Sequence, residues 1–183
     1  MKKNLIVLLV VALVSVGLFA VDSVGFDVKT TVEAINLMKI TAAEFTGTTA
    51  ALFASADPYV GNDDAEDGNH YVSGGGSQTI TAWLSTLSNR RTGYKVTMSA
   101  TAMESAPESG AKAYINYTVT VNSQAITTTG ATPAASKEIF STGAQTGITP
   151  QSYQISLSVD PDDFAAAVEG DYTGTVTFAW TAT

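Results

Sequence analysis

The 183-residue sequence predicts an all-β protein, an antiparallel sandwich of about seven strands, and three observations carry that expectation. In Asp171 to Thr183, Tyr172, Val176, Phe178 and Trp180 share one parity while Thr173, Thr175, Thr177 and Thr181 take the other. Successive side chains of a strand point to opposite faces, so this stretch has one aromatic face and one hydroxyl face. Shorter copies of the same alternation recur along the chain, separated by Gly-, Asn- and Pro-containing turns. Charged residues make up only 14% of the composition, and no long stretch has helical periodicity. A strand with one apolar face must pair within a sheet and be covered by a second layer.

The elements follow in chain order. Met1-Lys-Lys-Asn4, the apolar run Leu5–Val14 and the small residues before Ala20 have the layout of a secretory signal peptide, residues 1–20. The run is short of the ~20 residues that a spanning helix needs. Residues 21–183 are then expected to form a single domain. Val24 to Ala34 alternates, with Val24, Phe26, Val28, Thr30 and Val32 on one face and Asp27, Lys29, Thr31 and Glu33 on the other. It reads as a half-exposed strand, with Asn36–Thr41 continuing it or starting the next. From Thr46 to Ser77 the pattern dissolves into turn residues, an acidic cluster and Gly74-Gly-Gly76, with room for a helical turn at Ala50–Ala54.

Gln78–Leu87 and Tyr94–Ala100 read as two strands of a hairpin around Ser88–Gly93, with Tyr94, Val96, Met98 and Ala100 inward. Met103–Gly110 reads as a loop. Ala113–Val121 is the cleanest internal strand, and Gln124–Pro150 is Thr-, Ala- and Gly-rich with one short edge strand near Lys137–Phe140. Ser152–Val159 alternates with Tyr153, Ile155, Leu157 and Val159 on one side. Asp160 suits an N-cap, Pro161 the first helical position, and Asp162 and Asp163 the positive end of a short helix closed before Gly170.

Charge and composition narrow the function classes. Nine basic residues against seventeen acidic give a net charge of −8, and loss of residues 1–20 with Lys2 and Lys3 takes it to −10. Such a surface repels nucleic acid and anionic membranes. There is no Cys, which excludes a disulfide scaffold and a lipid-anchored lipoprotein. His70 is the only histidine, so a zinc site or a Ser-His-acid site lacks ligands or partners, and no enzyme and no cofactor are expected.

The acidic run holds carboxylates suited to Ca²⁺ at Asp63, Asp64, Glu66 and Asp67. Asp67 stands where an EF-hand needs Gly, and a solvated loop explains the run more simply. Trp83, Tyr94, Tyr114 and Trp180 are candidates for a sugar-stacking surface, but packing accounts for most of them. Asn116-Tyr-Thr118 matches a glycosylation sequon in mid-strand.

Ser88-Asn-Arg-Arg-Thr-Gly-Tyr-Lys-Val-Thr-Met98 resembles the turn of exported bacterial immunoglobulin-like domains. Glu169-Gly-Asp-Tyr-Thr-Gly-Thr-Val-Thr-Phe178, with its Asp160-Pro161 to Gly170 approach, is similar to the closing strand of fimbrial subunits of the chaperone–usher and spore-coat-U-like kinds. The resemblance covers about a third of residues 21–183. It departs in lacking the pilin disulfide and in carrying the acidic excursion at residues 57–69. A cell-wall-binding family named for a Trp-x-Leu motif has a similar closing strand, but Phe178-Ala-Trp180 and Trp83-Leu84 depart from it.

The resemblance implies an immunoglobulin-like β-sandwich with a structural or adhesive role, exported to the periplasm, cell surface or exterior. It implies assembly by β-strand addition with copies of itself or other fimbrial subunits, helped by a periplasmic chaperone, with no membrane association once the signal is removed. Val24, Phe26, Val28, Thr30 and Val32 then suit a donor strand; they equally suit the domain's own first strand. The alternative is a self-complete secreted module that binds carbohydrate or protein through loops 57–76 and 124–150.

Overall fold

In a computed structural model the described residues are 27–62, 67–105 and 110–183. The signal-peptide expectation, and the donor positions Val24 and Phe26, lie outside them. The chain divides into two compact units, residues 1–32 and 33–183. In the first, residues 27–32 carry no regular secondary structure. Lys29 Nζ lies 3.1 Å from Asp27 Oδ2 there, an exposed pair. Val28 and Val32 are 84% and 79% exposed.

The second unit is mostly β. In order, β1 spans Asn36–Thr41, β2 Gly76–Ser88, β3 Tyr94–Ala100, β4 Met103–Ser105, β5 Tyr114–Ile115, β6 Tyr117–Val121 and β7 Gln124–Thr127. Then come β8 Lys137–Ser141, β9 Thr149–Val159, β10 Tyr172–Thr173 and β11 Val176–Ala182. The helices are α1, Ala50–Ser55, and α2, Pro161–Ala166. All pairing is antiparallel, in sheets ordered β1-β2-β9-β6-β7, β11-β3-β8 and β10-β4-β5. One core is shared by the first two sheets: Leu84, Val119, Val121 and Val159 from one meet Tyr94, Val96, Met98 and Ile139 from the other. A satellite cluster of Phe45, Phe53 and Leu87 lies beneath α1, its two rings edge to face at 4.8 Å.

Several expectations are corrected. Residues 27–35 form no strand, and regular pairing begins at Asn36. Alternation alone cannot form a ladder without an edge to pair with; the lead-in at Glu33–Ile35 is instead clamped by Asn89, whose Nδ2 donates to Glu33 O and whose Oδ1 accepts from Ile35 N. β2 and β3 are not a hairpin. β2 pairs with β1 and β9, β3 with β11 and β8, so Asn89–Gly93 carries the chain from one sheet to the other. The two strands meet through side chains, with Tyr94 Oη 2.7 Å from Thr86 Oγ1.

Ala113–Val121 breaks at Asn116, which belongs to neither β5 nor β6. Its backbone N and Nδ2 donate to Asp163 Oδ2 at 3.0 and 2.6 Å, and its Oδ1 accepts from Gly130 N at 2.8 Å. Its carbonyl also accepts from Asp160 N at 2.9 Å. Four polar groups thus fix one residue where the strand changes sheets, which accounts for the Asn of the sequon.

β7 answers no sequence expectation. Asn122 and Ser123 turn the chain with φ of 48° and 60°, a two-residue hairpin without the usual Gly. β4 falls where a loop is expected. The Gly74–Gly76 run is not a slack connection. β2 starts at Gly76 with φ +93°, and a Cβ on Gly75 would stand 2.5 Å from Pro161 Cα. Asp160 caps α2 as expected, its Oδ1 accepting from Asp162 N at 2.9 Å and Asp163 N at 3.1 Å. The closing stretch divides at Gly174-Thr175 into β10 and β11, and β11 lies at a sheet edge with its apolar row only half-buried.

Two measurements check this packing. Asn116→Ala should lower stability by about 2 kcal/mol, because it removes the Nδ2 donor to Asp163 Oδ2 and the acceptor of Gly130 N, while the backbone N–H of residue 116 still reaches Asp163; a denaturant midpoint unchanged from wild type would contradict it. Burial pushes the Tyr117 phenol up to about 12. A raised folded-state pKa means that stability is retained below pH ~10 and falls between pH ~10 and ~12, as the unfolded chain ionises first. Tyr117→Phe should flatten that alkaline loss, measured by chemical denaturation across the window.

Candidate functional site

The free edge of β11 is the first candidate. β11 pairs along its whole length with β3 on one side, from Val176↔Ala100 to Ala182↔Tyr94. Among the described residues no backbone hydrogen bond is made on its other side. Its inward row contrasts with its neighbour's: Tyr94, Val96 and Met98 on β3 are completely buried, whereas Val176, Phe178 and Trp180 are only partly covered. Trp180 stacks on Tyr94 with centroids 5.4 Å apart, and the Arg90 guanidinium lies 5.6 Å from the Trp180 ring centroid. Trp180 Nε1 and Arg90 Nε are both buried without an acceptor among the described residues. Two unsatisfied donors therefore sit beside an unpaired strand edge, a costly arrangement that a carbonyl on an added segment would relieve.

The opposite flank is closed by side chains. Lys137 Nζ on β8 donates to Ala125 O on β7 at 3.2 Å, and Asn122 Nδ2 donates to Ile139 O at 2.9 Å. A lysine on an edge strand and side chains that occupy edge carbonyls both discourage pairing with another chain. A shallow cleft of about 400 Å³ lies here, lined by Ile126, Thr132, Pro133, Ala134 and Lys137 among others.

At the free side of β1, the excursion supplies partial cover. Tyr59 N donates to Ile40 O at 3.0 Å, Ala42 N donates to Asp57 O at 3.0 Å, and Thr41 bridges Pro58. Tyr59 and Val72 pack against the main core. Tyr59 Oη lies 2.9 Å from His70 Nδ1, and burial lowers the imidazole pKa below its ordinary value. Asn62 closes the base of the loop by accepting from Tyr71 N at 2.6 Å and donating to Tyr71 O at 2.9 Å. His70 thus joins the excursion to Tyr59 through a hydrogen bond.

Of the calcium candidates, Asp63, Asp64 and Glu66 lie outside the described residues. The Asp67 carboxylate is held below the usual range chiefly by the Asn69 backbone N–H at 2.8 Å. It also accepts from Asn69 Nδ2 at 2.6 Å and Tyr71 Oη at 3.1 Å. Among the described residues no group of three or more His, Cys, Asp or Glu side chains is placed to hold a metal. Of the donor-strand positions, Val28, Thr30 and Val32 are exposed.

The four aromatic residues considered for sugar stacking do not form one surface. Tyr94 is a core residue with Trp180 stacked on it, Trp83 points from β2 with the opposite parity to core Leu84, and Tyr114 lies on β5. A second cleft, of about 370 Å³, was legible only as part of a Thr- and Gly-rich stretch; it is lined by residues 140–153 of β8, β9 and the connection between them.

Comparison with known proteins gives no matching family model, no matching curated protein and no matching solved structure. Among the described residues no helix is long and apolar enough to cross a membrane.

The loop geometry predicts the behaviour of His70. A depressed folded-state pKa means that closure of the loop is fully supported above pH ~6.5 and weakens as pH falls through and below it. In an NMR titration the imidazole should show its midpoint below that of a free histidine, and Tyr59→Phe should move it. A midpoint at or above ~6.5 would remove the buried Tyr59–His70 contact.

Proposed function

We propose that the chain is an exported structural or adhesive protein of the bacterial surface, an immunoglobulin-like β-sandwich that assembles by β-strand addition. The observation that supports it most is the outer edge of β11, unpaired among the described residues, above a half-buried row of Val176, Phe178 and Trp180. The occupant is the Val24–Val32 segment of a second copy. Val28 and Val32 are exposed on one parity with Thr30 between them. A strand rises about 3.3 Å per residue, so nine residues span about 30 Å and are long enough to run beside the seven residues of β11. Main-chain hydrogen bonds then supply affinity and alternate side chains supply register.

The role needs no catalytic group and no cofactor. A periplasmic chaperone fits the same logic, because an unfilled edge over apolar side chains invites uncontrolled pairing until it is covered. The acidic surface keeps subunits soluble before assembly.

A self-complete binding module is the second reading, favoured by the way residues 57–59 already pair along β1. One comparison separates the two. The protein lacking residues 1–20 should form oligomers or filaments by electron microscopy and light scattering, and further deletion of residues 21–33 should leave a monomer. That monomer should bind a synthetic peptide of residues 21–33. If both forms stay monomeric and the peptide does not bind, strand addition is wrong and the self-complete module takes its place.

A further inference from the structure

We propose that the cleft at residues 140–153 is a binding site for a neutral saccharide of one or two rings. This inference is independent of assembly at β11, since the cleft is built from β8, β9 and their connection.

The cleft holds about 370 Å³, within the range of small-ligand sites. Its one aromatic face is Tyr153, whose ring centroid stands 4.9 Å from that of Phe140; Phe140 itself is buried and packs edge to face on Tyr94 at 5.8 Å. The pair is therefore anchored from behind by the core. Phe140 is 8% exposed, and Tyr153 is partly open.

The remaining walls are neutral hydrogen-bonding groups. Gln145, Gln151, Ser141 and Thr146 supply amides and hydroxyls, and among the described residues no Asp, Glu, Lys, Arg or His lines the cleft. That set selects against charged ligands, whose desolvation nothing here would offset. It suits a ligand that has both a C–H face for an aromatic wall and hydroxyl groups that donate and accept.

Gln145 singles out this cleft. Its Oε1 is buried with no hydrogen-bond donor among the described residues, in a connection whose neighbouring residues are largely exposed. An unsatisfied buried acceptor costs about 1–3 kcal/mol, which favours a rotamer that turns the amide into the cleft, where Oε1 can accept from a ligand hydroxyl. Tyr153 Oη already donates to Gln151 Oε1 at 2.9 Å, which fixes the ring and leaves the Gln151 amide N–H₂ as a donor.

The rim is held in place. Thr142 N donates to Tyr94 O at 2.7 Å, and Thr142 Oγ1 accepts from Tyr94 N at 3.0 Å. The start of the connection is thereby tied to Tyr94, the largest fully buried side chain of the core.

The test uses the isotopically labelled chain lacking residues 1–33, the form expected to stay monomeric, titrated by NMR with maltose, cellobiose, lactose and N-acetylglucosamine, with glucuronate as the charged control. Saturable shifts confined to residues 140–153 are expected with at least one neutral sugar, with Kd on the order of 1 mM. Gln145→Ala, checked for an otherwise unchanged spectrum, should weaken that binding at least about tenfold, a loss of ~1.4 kcal/mol. Tyr153→Phe, which frees Gln151 without removing the ring, should weaken it less. Absence of localised shifts with every neutral sugar up to about 50 mM overturns the proposal. So does binding that survives Gln145→Ala unchanged, or glucuronate binding as well as the neutral sugars do.

Discussion

The fold depends on how Tyr94 is buried. It is fully inaccessible, yet it carries a hydroxyl that must find a partner, and Thr86 on the facing sheet supplies one at 2.7 Å. Its ring stacks on Trp180 of β11 and meets the edge of Phe140 of β8, so one side chain touches both neighbours of its own strand and the opposite sheet. Its backbone anchors Thr142 at the rim of the saccharide cleft. Burial raises its phenol pKa even though the Thr86 bond pulls the other way, as expected where desolvation outweighs a single hydrogen bond. Remove this residue and the strand that carries the free edge and the strand that carries the cleft lose their common reference.

From that centre the two flanks diverge. On one, Lys137 and Asn122 occupy carbonyls of the facing edges and join β7 to β8. On the other, β11 has an edge unpaired among the described residues and a row of apolar side chains only partly buried. Proteins normally blunt such edges with charge, bulges or cover. Here Arg90 lies over Trp180, but its Nε and the indole N–H have no acceptor among the described residues. The two flanks are therefore unlike: one is satisfied internally, and the other is not among the described residues.

The alternating stretches were legible because a strand with a buried face announces itself at period two. Val96, Met98 and Ala100 are buried as their parity required, and Asp160 caps α2 as its position before Pro161 suggested. The same rule failed at Val24–Ala34, where alternation is present but residues 27–35 are not in a sheet. It also overran Asn116, because alternation continues across a residue whose backbone and amide are taken by Asp163, Asp160 and Gly130. β7 was missed because Asn122 and Ser123 reach positive φ without the glycine that usually marks such a turn.

The sequence by itself determined which side chains face inward on most strands, the absence of cysteine chemistry, the acidic charge and the capped turn into the closing stretch. These are local properties, set by parity, composition and backbone propensity. Only the tertiary structure decided that β2 and β3 part into different sheets, that β11 is an edge, and that Gln145 Oε1 is buried without a donor among the described residues in the cleft that Phe140 and Tyr153 also line. Each of those depends on residues far apart in the chain, and period-two alternation is the same whether a strand ends in the middle of a sheet or at its rim.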